Sequence, residues 1–278
     1  MNSLKKSQTI IYLLALSGLM INSLQKDVKA YPNTISACDG SIPAGNNTCL
    51  VDPTSYEIDI YRVYICRSDP FPAGTNQADL TTCIALFKND TTPYVGQLAN
   101  SSFTLPSTGR ESIVSGTYTH TALVLGTTFT GAGKYTSNPG ATDWRTKGNF
   151  DGGTNVTTTF GDPVKSGETL SNWRGPGGNS ANPYCKDGAT TTRCEADFNN
   201  YQVTGIITDT SLTANTAPAE RLFYLAQLTN PFTLTDSSAG SIQITVDNAY
   251  EVSGNNDGTV VEAMTIAPFV FQPNFVSN

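Results

Sequence analysis

Hydrophobic and polar residues alternate along several short stretches of the chain, most strongly over residues 56–66, Tyr-Glu-Ile-Asp-Ile-Tyr-Arg-Val-Tyr-Ile-Cys. The first half of this stretch places Ile58 and Ile60 on one face and two carboxylates on the other, which is the period of a half-buried strand. From Tyr61 onward both faces are apolar or aromatic, as in a strand that enters the middle of a sandwich. The pattern therefore predicts a central strand that ends at Cys66.

A second strong strand is predicted over residues 116–129, where apolar side chains alternate with small and polar ones and Gly126 is expected to mark a bulge or bend. Residues 221–228 also alternate, and we favour a strand there, with a short helix opened by Pro218 as the alternative. The run Gly-Asn-Asn-Asp-Gly at 254–258 is a hairpin signal. Shorter strands are predicted at residues 83–87, 94–98, 101–105, 201–207, 241–247 and 259–266.

Residues 131–200 depart from this regularity, because they are rich in Gly, Asn, Asp and Thr and their apolar residues are scattered. We predict a long loop excursion, within which residues 147–160 are compatible with a hairpin. The 39 Thr, 24 Gly and 15 Pro of the chain suit strands and turns. The predicted fold is all-β: a disulfide-stapled antiparallel β-sandwich with this Gly/Asn/Thr-rich excursion, in a single domain over residues 31–278.

The first thirty residues have the features of a secretory signal peptide. Lys5 and Lys6 precede an apolar run at 10–19, and Val-Lys-Ala at 28–30 offers a small-x-small cleavage site. The alternative is an uncleaved membrane anchor, for which the apolar run is short. We expect a secreted or cell-surface protein with no membrane span after residues 1–30 are removed.

The charge balance argues against several kinds of partner. Removing residues 1–30 leaves 12 Lys and Arg and 22 Asp and Glu, a net charge of −10. An acidic chain with so few cations is a poor ligand for nucleic acid, and it lacks a basic patch for anionic lipid. We therefore predict neither nucleic-acid binding nor attachment to a lipid surface.

All six cysteines follow the predicted leader, and an even number in an exported chain indicates disulfides. Proximity along the chain favours three local pairs, Cys38–Cys49, Cys66–Cys83 and Cys185–Cys194. The other possible pairings stay open. Zinc is not favoured, because the chain has one His and no C-x-x-C spacing. We predict no metal and no other cofactor.

Residues 56–70, together with Gly-Thr-Tyr-Thr-His at 116–120, resemble uncharacterised secreted bacterial β-sandwich proteins of transthyretin-like or Cna-B-like type. The resemblance covers about a third of the chain, and the motifs that carry it are structural. It implies an exported β-sandwich. It supplies no catalytic residues.

Candidate catalytic residues are few. His120 is the sole His of the chain, lies within a predicted strand, and is accompanied by no Gly-x-Ser-x-Gly motif. A glycoside hydrolase needs two carboxylates about 5–10 Å apart in a cleft. The excursion offers seven acidic residues without a distinguishing spacing: Asp143, Asp151, Asp162, Glu168, Asp187, Glu195 and Asp197. We predict that the protein is not an enzyme and keep glycoside hydrolysis as the less favoured alternative.

Carbohydrate binding without catalysis requires no pair of positioned carboxylates. Two Trp-Arg pairs lie in the excursion, and exposed aromatics with polar neighbours suit sugar-binding surfaces. The candidate ligand-binding residues are Trp144, Arg145, Trp173 and Arg174.

Residues 253–257 are rich in oxygen atoms but lack the spacing of a calcium loop, so we interpret them as a turn. Asn155 is one of four asparagines that begin Asn-x-Ser/Thr triplets, which arise by chance in a threonine-rich chain.

These observations favour a secreted, non-enzymatic structural or adhesive protein of the cell surface or of an extracellular assembly. Its expected partners are itself or other surface proteins, joined by strand addition at exposed sheet edges or through the apolar residues 267–278. The alternative is a carbohydrate-binding module that uses Trp144 and Trp173.

Overall fold

The computed structural model describes residues 35–45, 47–97, 106–138, 141–148, 154–171, 185, 190–198, 201–235 and 248–267, and the structural statements below concern these residues. Thirteen strands lie within them: β1 (Thr48–Val51), β2 (Pro53–Cys66), β3 (Cys83–Lys88), β4 (Tyr94–Gln97), β5 (Gly116–Ser137), β6 (Thr142–Thr146), β7 (Val156–Thr157), β8 (Ser166–Thr169), β9 (Arg193–Phe198), β10 (Tyr201–Thr208), β11 (Arg221–Leu234), β12 (Tyr250–Gly254) and β13 (Val261–Ile266). No helix occurs among the described residues. The predicted all-β, antiparallel and disulfide-bonded fold is confirmed.

The 22-residue strand β5 is the centre of a ten-stranded antiparallel sheet that curls into a half-barrel. The main path through this sheet is β3-β2-β5-β11-β10-β9, and β4, β6, β7 and β8 attach beside it. In the first half of β5, β2 and β11 pair with its two edges. In its second half, β2 stays on one edge while β8 and β6 pair with short stretches.

Both faces of the large sheet are buried around the first half of β5. Leu123 and Leu125 belong to one apolar cluster, whereas Ala122 and Val124 belong to the other, as strand alternation requires. The first cluster includes Ile58 and Ile60 and continues across β10 and β11. The second is covered by the loop that follows β2, whose Phe71 packs edge-to-face on a phenylalanine of β11 with ring centroids 5.5 Å apart.

A small sheet of order β1-β12-β13 lies against the second half of β5. Tyr250, Val252 and Met264 are fully buried there, with Tyr135 from β5 beside them. The approach is close, because a Cβ added at Gly133 would lie 2.7 Å from the Tyr250 ring and 2.8 Å from a Met264 methyl. The absence of a side chain at this glycine is therefore what lets the small sheet pack on β5.

All three predicted cysteine pairs are confirmed. Cys66 and Cys83 are register partners at the ends of β2 and β3, so this bond fixes the return strand beside the central one. The pair Cys185–Cys194 anchors β9. Three disulfides are typical of a protein that folds in an oxidising environment.

The predicted strand at residues 56–66 is confirmed within β2, and the strand favoured for residues 221–228 is confirmed as part of β11. β5 is longer than predicted, since it continues through two glycines to Ser137 instead of ending at residue 129. The register with β2 shifts next to Gly126, as expected for a bulge. β12 was not predicted, and it is the strand that pairs with β13 across the predicted hairpin turn. The strands predicted at 101–105 and 241–247, and the leader, lie outside the described residues.

Candidate functional site

The hairpin formed by the end of β5 and β6 sorts the predicted ligand-binding residues onto two faces. The cross-strand partners are Lys134 with Arg145, Tyr135 with Trp144, and Thr136 with Asp143. Successive side chains of a strand point to opposite faces, so the first and third pairs share one face and the second lies on the other. Tyr135 belongs to the buried cluster beneath the small sheet, so the face with Lys134 and Asp143 is the outer one.

On the outer face, Asp143 is the centre of a network of polar side chains. Its Oδ2 lies 2.9 Å from Lys134 Nζ and 2.8 Å from Arg145 Nη2. Thr136 Oγ1 donates a hydrogen bond to Oδ1 at 2.6 Å. The bond from Thr136, followed by that from Lys134, holds the pKa of Asp143 below its usual range. Asp143 is therefore ionised, and its acceptor directions are fixed.

Phe160 is 93% exposed and lies above this network. The centre of the Arg145 guanidinium is 5.8 Å from the centroid of its ring, a cation–π arrangement. Arg145 itself is only 7% exposed. Its strand, β6, lies between β5 and β7, and its side chain is held by Asp143. We call the residues Phe160, Arg145, Asp143, Lys134 and Thr136 the Phe160 surface.

Trp144 lies on the opposite face of β6 from Arg145. Its indole Nε1 donates to Ser137 Oγ at 3.2 Å, and its ring packs, half-buried, against the cluster of Tyr135 and Tyr250. The structure thus separates two residues that the sequence analysis placed in one candidate site. Trp173 and Arg174 lie outside the described residues. Sequence reasoning missed Phe160, although its position beside Gly161 in a polar run was a signal of an exposed aromatic residue.

The carboxylates of the excursion are distributed over several environments. Asp143 belongs to the Phe160 surface, and Glu195 pairs with Arg193 at 2.9 Å on β9. Asp162 and Asp197 lie in the loop before β8 and in β9 respectively. Asp151 and Asp187 lie outside the described residues. Among the described residues, the predicted acids are not gathered into one group.

Glu168 is held at the edge of the small sheet. Its Oε1 accepts a hydrogen bond from the backbone N–H of Ile266 at 3.0 Å. Burial raises the pKa of Glu168, and the bond from Ile266 opposes this effect. Burial also raises the pKa of Glu251, and the charge of Glu168 raises it further. One oxygen of Glu168 is thus already engaged by the backbone of β13.

His120 is held by its own strand neighbour. Its Nδ1 lies 2.8 Å from Thr119 Oγ1, and that hydroxyl donates to the carbonyl oxygen of Arg67 at 2.9 Å. Since the hydroxyl has one proton, Nδ1–H must be the donor to Thr119. Burial lowers the pKa of His120, against the opposing charge of Asp69. The imidazole is therefore favoured in its neutral form, with the Nδ1 proton in a structural bond.

The oxygen-rich residues at 253–257 form a turn, as interpreted from the sequence. Asn255 Oδ1 accepts from the backbone N–H groups of Thr259 and Val260, at 2.8 and 2.9 Å. Asp257 Oδ1 accepts from the N–H and the hydroxyl of Thr259. Among the described residues, no three His, Cys, Asp or Glu side chains form a group suited to a metal ion.

The fold and these contacts define an all-β, disulfide-bonded protein in which the exposed ring of Phe160 lies beside an ionic network. No protein-family model, curated protein or solved structure matches the chain. Within the part of the chain that the structure describes, no helix has the length and apolar character needed to cross a membrane.

Proposed function

We propose that this chain is a secreted structural or adhesive protein without enzymatic activity, and that it contacts carbohydrate through the Phe160 surface. The predicted signal peptide and the three disulfides support export. The absence of catalysis is supported by the engagement of the candidate groups: the described cysteines are bridged, and the Nδ1 proton of His120 is bonded to Thr119.

The observation that carries the carbohydrate proposal is the 93% exposure of Phe160 next to a charged side chain. An exposed aromatic ring gains free energy when a partner covers it. Its face suits the C–H face of a sugar ring, while Asp143 and Lys134 beside it offer an acceptor and a donor to hydroxyl groups. The Arg145 guanidinium, 5.8 Å from the ring centroid, adds a third polar group to this surface.

The test is a glycan array followed by calorimetry with soluble forms of any glycan that binds. Phe160→Ala is expected to weaken binding at least about tenfold, since burial of a Phe ring is worth roughly 1.5–3 kcal/mol. Val114→Ala is the matched control, because Val114 is also exposed, at 52%, but lies near Arg67. An array without hits, or equal binding by the wild type and Phe160→Ala, would remove the carbohydrate proposal.

Assembly by strand addition is the second candidate, and the hydrogen bonds constrain where it can occur. The outer edge of β1 is occupied by residues 36–38, and that of β3 by Glu111, whose N–H donates to the Ala85 carbonyl and whose carboxylate accepts from the Ala85 N–H. An incoming strand would have to displace these contacts. β4 is an outer strand of the large sheet with Val95 52% exposed, and it is the edge we choose to test.

For β4, the measurement is molar mass by size-exclusion chromatography with light scattering over a range of protein concentration. If copies join at β4, Val95→Lys shifts the protein toward monomer, because a lysine on an edge strand disfavours pairing with another strand. Val260→Lys, at a residue 42% exposed on the hairpin of the small sheet, is the control. A wild type that stays monomeric at every concentration contradicts self-assembly.

A further inference from the structure

The outer face of β6 has more positive than negative charge, which reverses the balance of the chain. Strand alternation places Asp143 and Arg145 on this face, and Lys147 follows at the next position of the same alternation. Lys134 joins them as the cross-strand partner of Arg145. Against these three cations the described residues of the segment offer two acids, Asp143 and the exposed Asp162 in the loop before β8. The surface therefore has one net positive charge, in a chain whose net charge is −7.

The guanidinium of Arg145 is the group that points to an anionic ligand. It has five N–H donors in one plane, and its bond among the described residues runs from Nη2 to Asp143 Oδ2 at 2.8 Å. The same carboxylate also binds Lys134 and Thr136, so it is shared among three side chains. The Nε and Nη1 donors have no partner within the part of the chain that the structure describes. A carboxylate suits such a fork, because it can accept two parallel N–H···O bonds.

The surroundings of this group extend the Phe160 surface along the loop before β8. Lys147 is exposed, and Val164, its partner in an isolated parallel bridge, is 52% exposed. A second cation and a second apolar side chain thus follow Phe160 and Arg145 on the same side of the hairpin. This spacing suits a chain of sugars more than a single sugar.

We propose that the ligand of the Phe160 surface is an acidic oligosaccharide, one whose sugars bear uronic-acid carboxylates. This inference rests on the carbohydrate contact proposed above and names the class of sugar. One sugar ring lies on Phe160, and its carboxylate accepts from the Nε and Nη1 donors of Arg145. A neighbouring carboxylate lies by Lys147. A neutral sugar leaves the guanidinium without an anionic partner and binds more weakly.

The test is calorimetry of the full-length, disulfide-bonded protein with uronate oligosaccharides and their methyl esters. The probes are oligogalacturonate and the oligosaccharides of alginate and hyaluronan, and methyl esterification keeps each sugar ring while removing its charge. At about 50 mM salt, at least one uronate is expected to bind about tenfold more tightly than its ester. This preference is expected to shrink at about 0.5 M salt, because salt screens exposed charges.

Variants separate the recognition of the carboxylate from contact with the sugar ring. Arg145→Lys keeps the charge but removes the planar fork, so the preference for uronate over ester is expected to fall at least about threefold. If that variant does not fold, Lys147→Gln tests the same preference at an exposed position. Lys88→Gln, which removes an exposed lysine at the end of β3, is the matched control and is expected to keep the preference. Phe160→Ala is expected to weaken the binding of uronate and ester alike.

The failure of this inference can be told apart from the failure of the carbohydrate proposal. Equal binding of uronates and esters, or binding of neutral glycans alone, overturns the inference and leaves the carbohydrate proposal in place. No binding of any glycan removes both. A preference for uronate that persists unchanged in Lys147→Gln and in a folded Arg145→Lys variant also overturns the inference, because the carboxylate is then bound elsewhere.

Discussion

The two halves of β5 are built differently. Residues 116–126 pair with the long strand β11 and, from His120 onward, also with the long strand β2, and both faces lie in apolar clusters. Residues 128–137 keep β2 on one edge as far as Gly133 and otherwise pair with the short strands β8 and β6. The small sheet above them is joined by Asn155, Glu168 and the Tyr250–Ser166 contact. The first half depends on continuous backbone pairing and packing. The small sheet above the second half depends on one apolar cluster and a few polar side chains, so a single substitution can remove a large share of its polar connections.

The largest effect is expected from the core of the first half. Phe223 is 0% exposed and its ring meets that of Phe71 edge-to-face, so Phe223→Ala leaves a cavity beneath the loop after β2. The expected loss is about 3–5 kcal/mol in the free energy of unfolding. Chemical denaturation measures it, with Phe160→Ala as a control of the same chemistry at an exposed position. A loss near zero at Phe223 would show that this half is not the stable one.

In the second half, Asn155→Ala removes both bonds to Met264. Each buried backbone group left without a partner costs about 1–3 kcal/mol. The comparison predicts that this loss is local, so hydrogen exchange should accelerate in β12 and β13 more than in β11. Asn89→Ala is the control, since Asn89 accepts bonds only within its own exposed turn. Uniform acceleration across both halves would mean that they unfold as one unit.

The close approach of the small sheet gives a smaller and more specific test. Gly133→Ala places a methyl group against Tyr250 and Met264, and such overpacking costs about 1–3 kcal/mol. Gly167→Ala is the matched control on β8, where the nearest neighbours of an added Cβ lie at 3.8 Å. The difference in midpoint of thermal unfolding between the two variants measures the contact. Equal midpoints would mean that the small sheet shifts away without cost.

The strands around the first half of β5 could be predicted from the sequence better than those around the second half, and the reason is physical. The strands of the first half carry apolar and β-branched residues at regular period, so β2 and β11 were predictable, and proximity sufficed for the disulfides. The second half of β5 contains glycines whose role is close packing, which local pattern does not distinguish from a loop. The contacts of Glu251 and Asn155 could not be predicted from local sequence patterns either, because their partners lie far along the chain. Asn155 and Met264, for example, are 109 residues apart.

The candidate site also depends on long-range packing that local sequence patterns do not predict. Alternation predicts that neighbours such as Trp144 and Arg145 face opposite ways, once the strand is known, but not which face is covered. That choice was made by the small sheet, which buries the side of Tyr135 and leaves Phe160 and Asp143 in water.

The burial of Asn155 has a practical consequence for making this protein. Asn155 begins an Asn-Val-Thr triplet, and its side-chain amide is the group that an oligosaccharyltransferase modifies. In the folded chain it is 1% exposed and bonded on both atoms to Met264, so a sugar cannot be accommodated there. A host that attaches glycans to the unfolded chain would deliver molecules unable to complete the edge of β13. Production in a host that forms disulfides without N-glycosylation avoids this loss.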